Sequence, residues 1–469
     1  MKLLFFTGLL FFSTTGSRSF AQEVLTLPQA IDMAIKNNID VAQRALVADA
    51  GAINYKQAKL ALLPSVNGDV AHGVNRGRSI DPFTNAFVNQ KINYAAYGLG
   101  SDVTLFNGFT LRNRIRQNGF AYSAAKLELE QEKDNLTLAV ILAYLQVLSN
   151  EDQVALANRQ VSVTGAQIER LEKLNREGAI SPPQLYDLRG QLKEAELNRV
   201  TAENAVASSK LALTQLMTVP YDPNIRLEKI AGTELLQQFP SSPAEVYKNA
   251  IEKLSLVKAA ALRKRSAQEA IKVAKGGLFP TLALGGNLNT NYSSAATQEM
   301  FTNITEVPTS NYVLVNGVKQ PVVAARENYT SRRINYTNQL SNNVFSNIGL
   351  SLRVPIFNSF TVRNRVKLAA IDFKSASLIA ENTKVQLRNE IEQAYVNMNN
   401  AWERYKILVE QVAAYSESFR AAEVRFNAGV GTTIDYMIAK DNVDRANINL
   451  VSAQYDYILR RKILEFYGR

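Results

Sequence analysis

Side chains that make and break bonds are scarce in this chain. Its 469 residues include no cysteine and one histidine, His72. Thiolate nucleophiles, disulfides and zinc–thiolate sites are therefore out of reach. No P-loop or dinucleotide fingerprint occurs. His72 falls inside an alternating stretch and reads as a structural or rim residue rather than a metal ligand. No catalytic residue, cofactor or metal is expected.

The residues whose spacing carries information are turn and cap formers. Gly178-Ala179-Ile180-Ser181 and Gly429-Val430-Gly431-Thr432 have one form. In each, a glycine can end one helix and a Ser or Thr can cap the next. A second pair is closer still. "DVTLFNGFTLRNRI" (102–115) and "RVPIFNSFTVRNRV" (353–366) match at Phe106/Phe357, Asn107/Asn358, Phe109/Phe360, Thr110/Thr361, Arg112/Arg363, Asn113/Asn364 and Arg114/Arg365. Gly108 and Ser359 are the small residues of these strand-to-helix turns. Hydrogen bonding, shape and charge are the chemistry on offer.

A unit built twice must position these residues. "LLPSV" (62–66) is answered by "LFPTL" (278–282), and "REGAIS" (176–181) by "NAGVGT" (427–432). The first repeat spans 22–217: a helical stretch Pro28–Leu62, strands about 65–75 and 96–106, a long helix 109–177 and a return helix 181–217. A linker, 218–242, follows. The second repeat spans 243–469: a helical stretch Pro243–Leu278, strands about 280–290 and 345–357, a long helix 360–428 and a return helix 432–467. The offset between copies grows from 216 to 251, so the second carries a 35-residue insertion. Segment 293–343, rich in Asn, Thr and Ser, reads as a long polar loop. Its counterpart is 75–95.

Leu350, Leu352, Val354 and Ile356 alternate with Gly349, Ser351, Arg353 and Pro355. Strands of about ten residues with one apolar face suit a membrane β-barrel, and equally half of a soluble sandwich. The long helices decide between them. Apolar residues recur every seven positions at Val140, Val147, Val154, Val161 and Ile168, and again at Ile391, Met398, Tyr405, Val412, Phe419 and Phe426. That is a coiled-coil seam. Each helix would run about 100 Å, with no room in an ordinary globular domain. Four strands cannot close a barrel, which needs about eight. Their open edges must pair with other copies, so a homo-oligomer is expected.

The N-terminus reads as an export signal, 1–21: Lys2, an apolar run Leu3–Phe12, and a small-x-small site at Ser19-Phe20-Ala21. No later segment is apolar for long enough to span a bilayer as a helix. The formal charge of +11 is spread among acids on helical stretches, without a basic block. Solvated helix faces, not a nucleic-acid site, are expected.

In the order and spacing of these motifs the chain resembles the TolC-like outer membrane efflux proteins, the outer membrane factors. The resemblance covers nearly all of the mature chain. It implies an α+β membrane fold: a long α-helical coiled-coil barrel in the periplasm joined to a transmembrane β-barrel shared between protomers, four strands per chain in a homotrimer. It implies the exit channel of an efflux or type I secretion system, without catalysis. The partners would be a periplasmic adaptor, an inner-membrane transporter and outer membrane lipid, and no nucleic acid. The adaptor would dock on Gly178, Ala179, Ile180 and Ser181 and on Gly429, Val430, Gly431 and Thr432. The family narrows its tunnel with Asp rings on the last helix. Asp435 matches the first ring, and Ile438 stands where the second would be. A family latch of Tyr and Arg to Thr and Asp falls here on Phe426, Gly431, Pro183 and Gln184, which cannot rebuild it. Packing of Phe426 and Ile438, or no tight hold at all, is expected. The strand-to-helix turns, Asn107, Gly108, Asn358 and Ser359, would bring Arg112, Arg114, Arg363 and Arg365 to the membrane rim. They would be first-turn surface charge or lipid headgroup contacts. The alternatives are a self-standing porin, which has no use for the coiled coil, and a surface-binding protein using 293–343.

Overall fold

A computed structural model describes residues 24–81, 85–177, 182–229 and 236–468. The expected signal, 1–21, lies outside them. The first repeat runs α1 (Leu27–Asn37), α2 (Ile39–Leu60), β1 (Ser65–Asn75), β2 (Arg78–Ile80), β3 (Phe87–Asn89), β4 (Ile92–Asn107), α3 (Thr110–Arg176) and α4 (Pro182–Leu216). The second runs α5 (Pro243–Lys253), α6 (Ser255–Gly276), β5 (Thr281–Ser293), β6 (Thr297–Val315), β7 (Val318–Arg333), α7 (Tyr336–Asn342), β8 (Phe345–Arg353), α8 (Thr361–Asn427) and α9 (Thr433–Gly468). The chain divides into two compact units. One is residues 1–51, 121–264 and 376–469; the other is 52–120 and 265–375.

The helical unit repeats its own local grammar. Thr26 caps α1 and Ser242 caps α5, each in a reciprocal box with Gln29 or Glu245, and a proline sits in each first turn. The opening helical stretches are not continuous as expected. Each is broken once, at Asn38 and at Leu254, where ψ is 128° and 133°. Asn38 starts a new helix: its Oδ1 accepts from the amides of Asp40 (2.8 Å) and Val41 (3.0 Å).

Both short opening helices lie on a long one through small residues. Ala30 and Ala34 pack with Val140, Tyr144 and Val147; Val246 and Ala250 pack with Leu387, Ile391 and Met398. All eleven seam residues are buried or half-buried. The Tyr144 hydroxyl lies 2.9 Å from the carbonyls of both Leu25 and Glu228, and burial pushes its pKa up to about 12. It fastens the parallel bridge Leu25–Leu227 to α3. Tyr144→Phe removes this donor, although the Leu25 carbonyl keeps the Glu228 amide (3.0 Å), and should cost about 1 kcal/mol, read as a lower urea midpoint with an unchanged slope.

Arg263 of α6 forks onto Glu128 of α3 at 2.8 and 2.7 Å. Those hydrogen bonds, above all, hold the Glu128 carboxyl below its usual range. A lowered folded-state pKa means stabilisation that is full above the unfolded value, about 4.3, and is lost as pH falls through the folded one. Glu128→Gln should therefore flatten the acid limb of the stability profile and leave the alkaline limb unchanged.

In the other unit the described strands number eight, of which four form one antiparallel sheet in the order β1-β4-β5-β8. The two repeats meet in its middle, where Tyr94–Asn107 of β4 pairs with Thr281–Ser293 of β5. Both outer strands leave an edge open and apolar side chains bare. Val66 and Val70 of β1 are exposed, as are Ile348, Leu350 and Leu352 of β8. β8 stops at Arg353 rather than at the expected 357, because Pro355 has no amide to give a ladder.

The expected polar loop at 293–343 is instead ordered. β6 and β7 form a long ribbon closed by Asn316-Gly317, both at positive φ (49° and 81°). Asn-Gly is the strongest short hairpin signal, and it outweighs the polar composition of the segment. The base of the ribbon is pinned by buried Gln339 of α7, whose amide group bonds both the N–H (2.9 Å) and the carbonyl (3.0 Å) of Ser293. In the first repeat β2 and β3 form a much shorter counterpart within 75–95. No helix among the described residues is long and apolar enough to cross a membrane, which says nothing of a β-barrel.

Candidate functional site

The second helical tip is built by its glycines and its threonine. α8 ends at Asn427, and Gly429 takes φ +76°. The amides of Val430 and Gly431 both donate to the carbonyl of Arg425 at 3.0 Å. A Cβ on Gly431 would come within 2.9 Å of the Phe426 nitrogen, so the turn closes only around a glycine. Thr432 then caps α9: its hydroxyl oxygen accepts from the Asp435 amide (3.1 Å), and its O–H donates to the Asp435 carboxylate (2.8 Å). Asp435 is exposed and lies in the first turn, where its charge suits the helix dipole. Val430 (72%), Ile434 (66%) and Ile438 (57%) leave an apolar rim around it.

Phe426 points elsewhere. It stacks on Tyr436, centroids 5.0 Å apart, and packs with Ile168, Leu171, Leu185 and Leu188 from α3 and α4. Tyr436 is 1% exposed, and burial pushes its pKa up to about 12. Phe426 thus joins one helical hairpin to the other, while Ile438 stays at the surface. Pro183 is exposed and Gln184 half-buried at the start of α4. The first tip, Gly178 to Ser181, lies outside the described residues.

A polar link runs beside this packing. Arg170 of α3 donates Nη1 to Asn427 Oδ1 and Nη2 to the Asn427 carbonyl (3.4 Å). It sets a cation on the negative end of α8. Neither Arg170 nor Tyr436 stood out in the sequence. The heptad positions of Phe419 and Phe426 pointed to an apolar partner, and Tyr436 is that partner. Nothing local marks Arg170 among the other arginines.

The two strand-to-helix turns flank one segment. Gly108 is at φ +62°, and a Cβ there would lie 2.4 Å from the Gly276 carbonyl oxygen and 2.7 Å from Phe279 Cβ. On the other side a Cβ on Gly277 would lie 3.3 Å from Val362. The turn between α6 and β5 is therefore held between both copies. Asn107 Oδ1 accepts from the Leu111 amide (3.3 Å), and the Asn358 carbonyl from the Thr361 amide (3.0 Å). Ser359 takes φ +51° where the first copy has glycine. His72 is exposed on β1, opposite Ala95. Among the described residues no His, Cys, Asp and Glu cluster suited to a metal occurs.

A family model described as outer membrane efflux protein matches residues 30–219 and 246–466, one block over each repeat. The chain belongs to the outer membrane efflux protein family. It is 24% identical over 448 residues to outer membrane protein TolC of Vibrio cholerae, covering 95% of this chain and 90% of that one. To TolC of Escherichia coli it is 23% identical over 396 residues, covering 78% and 72%. The crystal structure of the outer membrane protein VceC of Vibrio cholerae shares the fold, with TM-score 0.73 at 14% identity over 94% of this chain and 96% of that one. This outer membrane efflux protein is thus a TolC-like channel protein. It resides in the outer membrane and serves as an exit channel for efflux.

Proposed function

We propose that three copies of this chain make the exit duct of a tripartite machine. A periplasmic adaptor would dock on both helical tips, and an inner-membrane transporter would drive the substrate. The observation that carries this reading is the four-stranded antiparallel sheet, open at β1 and β8 and bare of cover on its apolar residues. Four strands are half of the smallest barrel, about eight. With β8 of one copy beside β1 of the next, three copies would close a barrel of about twelve strands. The duplicated helical hairpins would then line a tunnel.

At the tip, the apolar rim of Val430, Ile434 and Ile438 supports a docking face, and three exposed Asp435 carboxylates around one axis would attract cations and repel anions. Substrate choice would rest with the transporter, since a tunnel wall selects by size and charge. The test is a photo-crosslinking residue at Thr432 in cells. Capture of a periplasmic adaptor supports the reading; capture only of other copies of the chain sinks the docking assignment.

The ribbon favours a second reading, a surface-binding protein. β6 and β7 are exposed along most of their length and carry bare Phe301, Ile304, Tyr312 and Leu314. Replacing 298–332 by a short Gly-Ser turn separates the two. An exit duct should keep at least about half its efflux, because the ribbon adds no strand to the four-stranded sheet. A surface binder should lose its activity.

A further inference from the structure

Phe109 and Phe360 stand at φ +62° and +60°. A bulky residue seldom takes this conformation, and Gly or Asn takes it at less cost. Yet the same strained phenylalanine occurs in both copies. The residue is 56% exposed in one copy and 53% in the other, so core packing does not account for it. Each ring meets a second aromatic edge-on, Phe106 at 5.4 Å and Phe357 at 5.7 Å. A guanidinium lies over each, Arg112 at 6.0 Å and Arg363 at 5.5 Å.

The charge here is equally foreign to the helices. Arg112, Arg114 and Arg116 open α3, and Arg363, Arg365 and Lys367 open α8; all six are exposed, and neither first turn holds an acid. Cations at a helix start oppose its dipole. No Asp or Glu occurs from residue 103 to 127, nor from 328 to 371. Between the two clusters lie exposed Leu278 and Phe279, on the turn held between Gly108 and Val362. The three segments meet at one level of the sheet, since Asn107 pairs with Thr281 and Thr281 with Arg353. Along the strands the surface changes in order: bare aliphatics (Ile348, Leu350, Leu352), then aromatics, then cations.

We propose that this belt binds anionic phospholipids of the leaflet at the helical end of the barrel. Acyl chains would lie on the aliphatic strand face, Phe109, Phe279 and Phe360 at the interface, and the six cations on phosphates. The aromatic layer is what selects a lipid over a free anion, because a soluble phosphate has no use for the rings. The inference deepens the barrel reading above and rests on it.

The test uses the full-length protein in detergent micelles. It is titrated with fluorescent phosphatidylglycerol and, separately, phosphatidylcholine, with inorganic phosphate as competitor. Phosphatidylglycerol should bind at least about fivefold more tightly. Arg112→Gln with Arg363→Gln should weaken it by about fivefold for each cation removed per chain. Phe109→Asn with Phe360→Asn, which relieves the backbone, should weaken both lipids while the protein stays folded. Lys406→Gln with Arg420→Gln removes equal charge elsewhere on α8 and should change nothing. Equal binding of the two lipids, equal loss in the distant control, or displacement by millimolar phosphate overturns the proposal. Insertion into vesicles of both lipids without preference overturns it alone. Failure to insert into either overturns the barrel reading with it.

Discussion

Gly108→Ala should lower the stability of the strand–helix junction by about 2–5 kcal/mol. Two costs add. A left-handed φ of +62° costs an L-residue with a Cβ about 1–2 kcal/mol. The new methyl would also sit 2.4 Å from the Gly276 carbonyl oxygen, and backbone cannot swing aside as a side chain can. Overpacking of this kind costs about 1–3 kcal/mol. The other copy supplies the control. Ser359 is at φ +51°, so Ser359→Gly should stabilise by up to about 1 kcal/mol. The measurement is the temperature at which the folded protein unfolds in a heated gel series. Equal midpoints for Gly108→Ala and the parent protein would show that the packing of α3 against the α6–β5 turn is not as drawn.

We further propose that the link between Arg170 and the end of α8 helps to hold the helical tip closed, so that Arg170→Ala should open the channel. In the present arrangement the Arg170 guanidinium bonds both the side chain and the carbonyl of Asn427, at the end of α8. A hydrogen bond to a charged group contributes about 1.5–3 kcal/mol, and exposure brings this link to the lower end. A loss of about 1.4 kcal/mol shifts a closed–open equilibrium tenfold per protomer. Phe426 on Tyr436 still ties the hairpins, so the protein should stay folded while conductance in planar bilayers rises severalfold. Arg170→Lys should recover only part of the closure, because an ammonium cannot fork onto two acceptors. An inserted channel with parent-like conductance would remove Arg170 from any account of gating.

Much of the architecture is local and was therefore readable. The seam from Val140 to Ile168, the alternation from Gly349 to Arg353 and the Gly–Thr tip all lie within single windows of the chain. Other local signals are equally present and act against the average composition. Asn316-Gly317 marks the ribbon, Thr26 with Gln29 and Ser242 with Glu245 mark helix starts, and Asn38 marks the break in the first opening helix. The Asn, Thr and Ser content of 293–343 suggested a loop because these residues favour turns on average. Register and turn chemistry prevailed because a ribbon satisfies the backbone amides that composition ignores.

By itself, then, the sequence determined a duplicated helix–strand–helix unit, its turns and its caps, because periodicity and φ preference act over a few residues. The order of those units carries the resemblance to an efflux family, and the match of the family model to both repeats shows the membership. Only the tertiary structure decided which faces meet. Arg170 finds Asn427 across 257 residues, and Phe426 turns inward onto Tyr436. The α6–β5 turn is caught between Gly108 and Val362 because the sheet order puts β5 between β4 and β8. Such contacts depend on the rotation of each helix and the order of strands, which no short window of residues encodes.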